Sequence, residues 1–278
     1  MKNTILVIGA SGTVGTELTQ LLKAEGHTVR TATSKVAKDS SSVHLNLVTG
    51  EGLKNAFEGI DKVFLLSPPP FVQQDKLLVP VIHEAQRRGV KKIVLMTAMG
   101  ADASNDTPFR KAELELEKSG LNYNIIRPNW FLQNFNTFWI QGIREHGKIF
   151  LPAGKAKTSF IDAKDISAVA AKLLTTDTFN NRAFNLTGPE AIDHDQVAKE
   201  ISAVGGKNIT YQEIAPADLK KGLLGAGLPE DYTDFLLLIM GFLREGYNAA
   251  VTTSVKDITG REPRSVKQYA QDQRQAWI

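Results

Sequence analysis

The sequence predicts an α/β protein: a doubly wound parallel sheet with helices on both faces, joined to a smaller, mostly helical C-terminal portion. Three observations carry this. Short apolar runs alternate with segments of helical period through the first half of the chain. A glycine-rich turn, Gly9-Ala10-Ser11-Gly12-Thr13-Val14-Gly15, joins the first apolar run to the first helical one. After about Trp130 the alternation stops and helical patterns dominate. Strands separated by helical crossovers pair in parallel, and the crossovers cover both sheet faces.

The elements follow in order. Thr4–Ile8 is an apolar run of strand length. Val14, Leu18, Leu21 and Leu22 then recur at helical spacing, and Gly26 stops that helix. Thr28–Thr33 is the second strand and completes a βαβ unit. His44–Leu47 is a weaker candidate for the third. Lys62–Ser67 reads as a buried strand ended by Pro68-Pro69-Pro70, and Gln73–Arg88 as a helix stopped by Gly89. Lys92–Ala98 is the next strand, with Gly100 after it. Pro108–Lys118 is a helix with Thr107 as N-cap and Pro108 as first helical residue. Tyr123–Arg127 is a strand halted at Pro128. Ile166–Leu174 has a helical pattern, and Ala183–Leu186 is a short strand able to rejoin the sheet. We therefore expect a dinucleotide-binding domain over residues 1–152, with a returning segment near 160–187. A smaller domain over 188–278 is expected to cover the cleft beyond the carboxyl ends of the strands, where doubly wound sheets take ligands.

Composition narrows the chemistry. The chain has 278 residues, a net charge of +3 and no cysteine. That excludes disulfides, thiolate catalysis and cysteine-bound metal, and it fits a reducing compartment. Met1-Lys2-Asn3-Thr4 runs straight into a strand, without the apolar region of a signal peptide. The longest apolar run, Phe235–Leu243, is too short to span a bilayer. A cytoplasmic protein with no membrane partner is expected. Basic residues are scattered, so a solvated surface is favoured over a nucleic-acid face. The five histidines are dispersed, and no metal site is expected; His27 is placed at the end of the first helix as a favoured cation. The aromatic cluster Trp130, Phe131, Phe135, Phe138 and Trp139 reads mostly as core. Asp231–Arg244 reads as a core helix, with Gly222, Gly225 and Gly227 suited to a hinge beside it.

The glycine turn is the chemical centre of the sequence. In a strand–turn–helix of this kind one glycine permits the tight turn, one lets the backbone approach a pyrophosphate, and one packs the helix close to the strand. The phosphates then meet free N–H groups and the positive end of the helix dipole. The spacing is G-x-x-G-x-x-G. Beyond it, the turn Thr31-Ala32-Thr33-Ser34-Lys35 carries no acid to bind a ribose 2′-hydroxyl or repel a 2′-phosphate. Ser34 can donate a hydrogen bond and Lys35 brings positive charge. NADP(H) is therefore preferred over NAD(H). Lys35 and Lys38 read equally well as solvated loop lysines.

Further motifs point to a family. They are Phe64-Leu65-Leu66-Ser67-Pro68-Pro69, Ser119-Gly120-Leu121-Asn122-Tyr123, Ile126-Arg127-Pro128, Asp162–Ile166, Asn185-Leu186-Thr187-Gly188-Pro189 and Thr259-Gly260-Arg261-Glu262-Pro263-Arg264. With Gly9–Gly15, and in this order, they resemble the NmrA-like family of atypical short-chain dehydrogenases over essentially the whole chain. The family includes NADPH-dependent quinone, azo-dye and triphenylmethane reductases, and cofactor-sensing regulators that catalyse nothing. The resemblance implies a Rossmann domain holding NADP(H), without flavin, and a smaller C-terminal substrate domain. It implies a phosphate loop of Gly9, Ser11, Gly12, Thr13, Val14 and Gly15. Asn46-Leu47 stands where the family has an Asp-hydrophobe pair beside the adenine, and Ser67-Pro68 lies along the centre of the cofactor. Thr97 ends the strand facing the nicotinamide ribose, Lys111 occupies the family's lysine position, and Pro128, Asn129 and Phe131 follow near the nicotinamide. Thr97 and Lys111 are the candidate catalytic residues.

One component is missing. Carbonyl-reducing members of the wider superfamily use Tyr-x-x-x-Lys on one helix face, with lysine lowering the tyrosine pKa. None of the five tyrosines has a lysine four residues later. Four residues before Lys111 stands Thr107, whose capping hydroxyl is committed to the backbone. The plain alternative for Lys111 is an exposed helix lysine paired with Glu115 at i,i+4. Acceptors whose reduced anion is already stable need little help from an acid, whereas simple ketones need more. Two readings follow: a reductase of quinone-like or conjugated electrophiles, or a non-catalytic NADP(H) sensor acting through a regulatory protein partner. The expected small-molecule partner is the electrophile; a homodimer stays open.

Overall fold

A computed structural model describes residues 2–37, 39 and 41–278, so Met1 and Lys38 of the readings above lie outside the described residues. The elements are β1 (Thr4–Val7), α1 (Thr13–Ala24), β2 (Thr28–Thr33), β3 (Ser42–His44), α2 (Leu53–Ala56), β4 (Lys62–Leu66), α3 (Gln74–Arg87), β5 (Lys92–Met96), α4 (Pro108–Lys118) and β6 (Asn122–Pro128). There follow α5 (Ile140–His146), β7 (Lys148–Leu151), α6 (Ala163–Thr175), β8 (Arg182–Leu186), α7 (His194–Gly205), β9 (Thr210–Glu213), α8 (Pro216–Gly225), α9 (Glu230–Arg244), α10 (Ser254–Thr259), α11 (Val266–Asp272) and α12 (Arg274–Trp277). The chain divides into two compact units. The first is Met1–Pro128, Ile166–Asn185 and Asp257–Thr259; the second is Asn129–Asp165, Leu186–Lys256 and Gly260–Ile278.

The first unit holds the sheet, in the order β3-β2-β1-β4-β5-β6-β8. The pairs β2–β3, β1–β2, β1–β4, β4–β5 and β5–β6 are all parallel. This is the predicted fold class, and the predicted segment near Ala183 does rejoin the sheet as β8. Strand order reverses between β1 and β4, the switch point at which such sheets open a crevice. The core is the continuous apolar strands, with Leu6, Val63, Leu65, Ile93, Leu95 and Ile125 fully buried beneath Leu78, Ile82 and Leu116 of the helices. The third strand comes earlier than His44–Leu47, because the Asn46 side chain turns the chain there. Its Oδ1 accepts from the N–H groups of Val48 (2.9 Å) and Thr49 (3.2 Å). His27 follows the end of α1, as expected, and its Nδ1 accepts a hydrogen bond from the Asn3 N–H at 3.3 Å.

Two lysines lie in the sheet itself. Lys62 and Lys92 are register partners on β4 and β5, and both are buried. Their ammonium groups donate to Leu174 O (2.7 Å) and Thr176 O (2.8 Å) at the end of α6. They satisfy carbonyls that a helix C-terminus leaves free, and they complement its negative dipole end. Burial, and then the neighbouring Lys62 charge, lower the Lys92 ammonium to about 8.

The second unit has its own core, built from Leu132, Phe135, Ile149, Leu151, Phe160, Val197, Ile201, Leu243, Tyr269 and Trp277. It contains a parallel two-stranded sheet, β7 with β9, which the sequence reading missed. Of the aromatic cluster, Phe135 is fully buried and Trp130 and Trp139 pack against this core, as expected. Phe138 is the exception, 76% exposed. The α9 segment is not the core helix the sequence predicts. Only Thr233, Met240 and Leu243 are buried along it, while Leu238 is 56% and Phe242 49% exposed. The reason lies in its partner: α9 packs against α8, which has no buried residue, so only one stripe of α9 reaches the core. Gly222 and Gly225 lie inside α8, and only Gly227, at φ +82°, takes a conformation that favours glycine.

His194, the first residue of α7, is fully buried in a box of Phe135, Trp139, Phe160 and Tyr211, with ring centroids 5.4–6.2 Å away. Neither ring nitrogen has a hydrogen-bond partner among the described residues. Burial lowers its pKa to about 4, against a weaker opposing pull from Asp193 and Asp195. Above pH ~6.5 the ring is neutral whether folded or unfolded, and stability is unaffected. Below it the unfolded chain takes a proton that the folded chain refuses until about pH 4. Stability should therefore fall across that window, by up to about 3 kcal/mol. Urea titrations at stepped pH should show this slope in the wild type and its loss in His194→Phe; equal slopes would refute it.

Candidate functional site

The glycine turn runs from the end of β1 into α1. Gly9 has φ +79°, and a Cβ there would sit 2.9 Å from Leu66 Cδ1. Gly12 donates its N–H to Gly9 O at 3.0 Å and is the N-cap of α1. A Cβ on Gly15 would stand 2.2 Å from Gly9 O, so only glycine lets the helix start this close to the turn. No side chain caps α1 and its first turn has no acid. Its leading N–H groups and dipole end are thus left for an anion. Ser11, Gly12 and Thr13 are exposed there, whereas Val14 is buried and its carbonyl accepts from Ser167 Oγ at 3.0 Å. A pyrophosphate fits what these residues offer: a cradle that a Cβ would fill and uncapped donors.

Other predicted contacts gather in the same unit. Ser34 and Lys35 are exposed immediately after β2, with Thr33 Oγ1 accepting from the Lys35 N–H at 3.1 Å. Asn46 keeps its side-chain oxygen in the turn described above, as an aspartate there would; its amide nitrogen has no partner among the described residues, and Leu47 beside it is half-buried. Ser67 and Pro68 follow β4 and are half-buried; they come directly after Leu66, the side chain against Gly9.

Thr97 and Lys111 have unlike surroundings. Thr107 caps α4 as predicted: its hydroxyl accepts from the Arg110 N–H (3.2 Å) and donates to Ala101 O (2.5 Å). Lys111 is exposed one turn on. Glu115 does not pair with it, because Glu115 Oε1 is 2.8 Å from His83 Nε2 on α3. Among the described residues Lys111 has no ion pair. Thr97 is buried at the end of β5, and its hydroxyl donates to Glu113 Oε1 at 2.7 Å.

Glu113 is the residue the sequence reading missed. It is fully buried on α4 and accepts from Arg127 twice, at 2.9 Å (Nε) and 2.6 Å (Nη2), and from Arg110 Nη1 at 3.0 Å. Arg127 also pairs with Asp102, and Arg110 with Glu117 at 2.7 Å. Burial alone would raise the Glu113 carboxyl; hydrogen bonds from Arg127 and Thr97 hold it below the usual carboxylate range. The i,i+3 spacing of Arg110 and Glu113 was the one trace of this network in the sequence.

Pro128 ends the first segment of the first unit, its carbonyl accepting from the Met99 N–H at 3.0 Å. Asn129 and Phe131 belong to the second unit. Asn129 is buried, and its amide group is saturated within that unit. It donates to Ser159 Oγ (2.7 Å) and Asn248 O (2.9 Å), and accepts from the Trp130 N–H and Asn248 Nδ2, both at 2.9 Å. That side chain organises its own loop and has no capacity left over. Phe131 is half-buried and bridges to Ile161.

Comparison with known proteins bears on these observations. The chain is 32% identical to an NAD(P)H azoreductase from Xenophilus azovorans over 281 residues, covering 96% of each. Its fold matches an NADPH-dependent quinone oxidoreductase from Escherichia coli, solved with NADPH, at a TM-score of 0.81 and 22% identity, covering 97% of this chain and 99% of that one. It also matches NmrA, a negative transcriptional regulator solved with NADP, at a TM-score of 0.76 and 15% identity, covering 98% and 95%. The NmrA-like family model matches residues 1–269. The chain that builds this glycine turn belongs to the NmrA-like family.

Proposed function

We propose that the protein is an NADPH-dependent reductase that passes hydride to a quinone-like or conjugated electrophile. The observation that carries this is the pairing of an intact phosphate cradle at Gly9–Gly15 with an α4 that presents Lys111 but only a backbone-bound Thr107 in place of an acid. The azoreductase at 32% identity supports the same reading, since an azo group is a conjugated acceptor. A bound reduced nicotinamide supplies the hydride. The chain's own residues bind and orient. Gly12, Thr13 and the uncapped α1 terminus hold phosphate, Ser34 and Lys35 meet the 2′-phosphate, and the unpaired Lys111 ammonium holds the nicotinamide ribose. Ser67 and Pro68 lie along the cofactor's centre. With no tyrosine to protonate the product, acceptors whose reduced anion is stable are favoured. Loss of NADPH absorbance with a panel of quinones, azo compounds and enals tests this; no turnover with any of them would overturn it.

The same missing acid, with the likeness of fold to a transcriptional regulator, favours one second reading: a cofactor sensor. A sensor must bind NADPH and NADP+ with unequal affinity and retain a protein partner through purification. Equal affinities and no partner would dismiss it.

A further inference from the structure

We propose that Glu113 is a positioning residue that fixes the direction of the Thr97 hydroxyl, so that Thr97 accepts a hydrogen bond from the bound cofactor and cannot act as an acid. This rests on the reading of the first unit as an NADP(H) site. The argument is one of hydrogen-bond polarity. Glu113 is ionised and therefore accepts only. Its two oxygens already take bonds from Arg127 and Arg110, and the fourth donor is the Thr97 O–H at 2.7 Å. The single proton of Thr97 thus points inward, to a carboxylate with no exposed surface. No donor among the described residues reaches Thr97 Oγ1, so its lone pairs are what it can offer outward.

A nicotinamide nucleotide presents suitable donors, the ribose hydroxyls and the carboxamide NH2. A threonine free to rotate would serve either as donor or as acceptor; this one is restricted to accepting. Proton relay through the pair is closed as well, because Glu113 would have to become protonated while facing two guanidinium groups. An electrophile that takes the hydride then does not draw its proton from Thr97.

The test is cofactor affinity, followed by NADPH fluorescence, for wild type, Thr97→Ser, Thr97→Val and Glu113→Gln, with urea unfolding in parallel. Thr97→Ser keeps the oxygen and its inward proton and should bind NADPH within about twofold of wild type. Thr97→Val removes the acceptor and should bind about tenfold more weakly. Glu113→Gln should weaken binding too, and the double variant should be less than additive, since both changes remove one interaction. A purely internal brace would lower the unfolding midpoint of Thr97→Val and leave its affinity unchanged; that result overturns the proposal while the reductase reading stands. If Glu113→Gln fails to fold, the two Thr97 variants decide alone. A wild type that does not bind NADPH overturns the underlying reading instead.

Discussion

Gly15→Ala should lose NADPH binding by about 100-fold or more, close to 3 kcal/mol. The added Cβ would stand 2.2 Å from Gly9 O, 2.7 Å from Gly9 C and 2.8 Å from Ala10 Cα. All three are backbone atoms of a tight turn, so no flexible side chain can swing aside. The start of α1 must lift, which takes the N–H groups of the first turn out of line with the phosphates. Overpacking of this kind also costs roughly 1–3 kcal/mol of stability. Gly12→Ala is the internal control. Its Cβ would meet Gly9 O at 3.3 Å, a contact relieved by a few tenths of an ångström, and its loss of affinity should stay under about tenfold. Fluorescence titration of both variants, with unfolding curves to exclude global collapse, measures the difference. Equal affinities for the two variants would show that close packing at Gly15 does not set the phosphate cradle.

Glu113→Ala should destabilise the first unit by about 3–5 kcal/mol, the range for leaving one member of a buried ion pair alone. Arg127 is itself buried and keeps only Asp102, so two of its guanidinium nitrogens lose their acceptors. For a chain of this size the melting temperature should drop by about 10 °C. Glu113→Leu combined with Arg127→Met should recover much of the loss, because an apolar replacement removes both charges together. Thermal and urea unfolding of the single and double variants would check this. A single variant within about 1 kcal/mol of wild type would mean the pair contributes little.

The two effects differ in how legible they were. The phosphate cradle is local: strand, turn and helix are contiguous in the chain, and a glycine is informative because few other residues tolerate the turn. The strands and helices of the first unit were readable for a similar reason, since buried parallel strands are continuous apolar runs and the helices between them end at glycines. Pro108–Lys118 and Thr28–Thr33 match the structure residue for residue. The short strands β7 and β9 escaped notice. Each is four residues long, and their pairing exists only once distant segments are brought together. The apolar run in α9 was misread because a pattern of residue types shows that a helix can be buried, not that anything buries it.

The sequence by itself determined the βαβ start, the fold class, the family resemblance and the threonine, not tyrosine, four residues before Lys111, since each depends on residues close together in the chain. Tertiary structure alone decided the state of the polar side chains. It gave Glu115 to His83 and left Lys111 unpaired, saturated Asn129 within its own unit, and turned the Thr97 proton toward Glu113. Hydrogen-bond direction and charge pairing depend on which groups meet through space, and the order of residues along the chain does not specify those meetings.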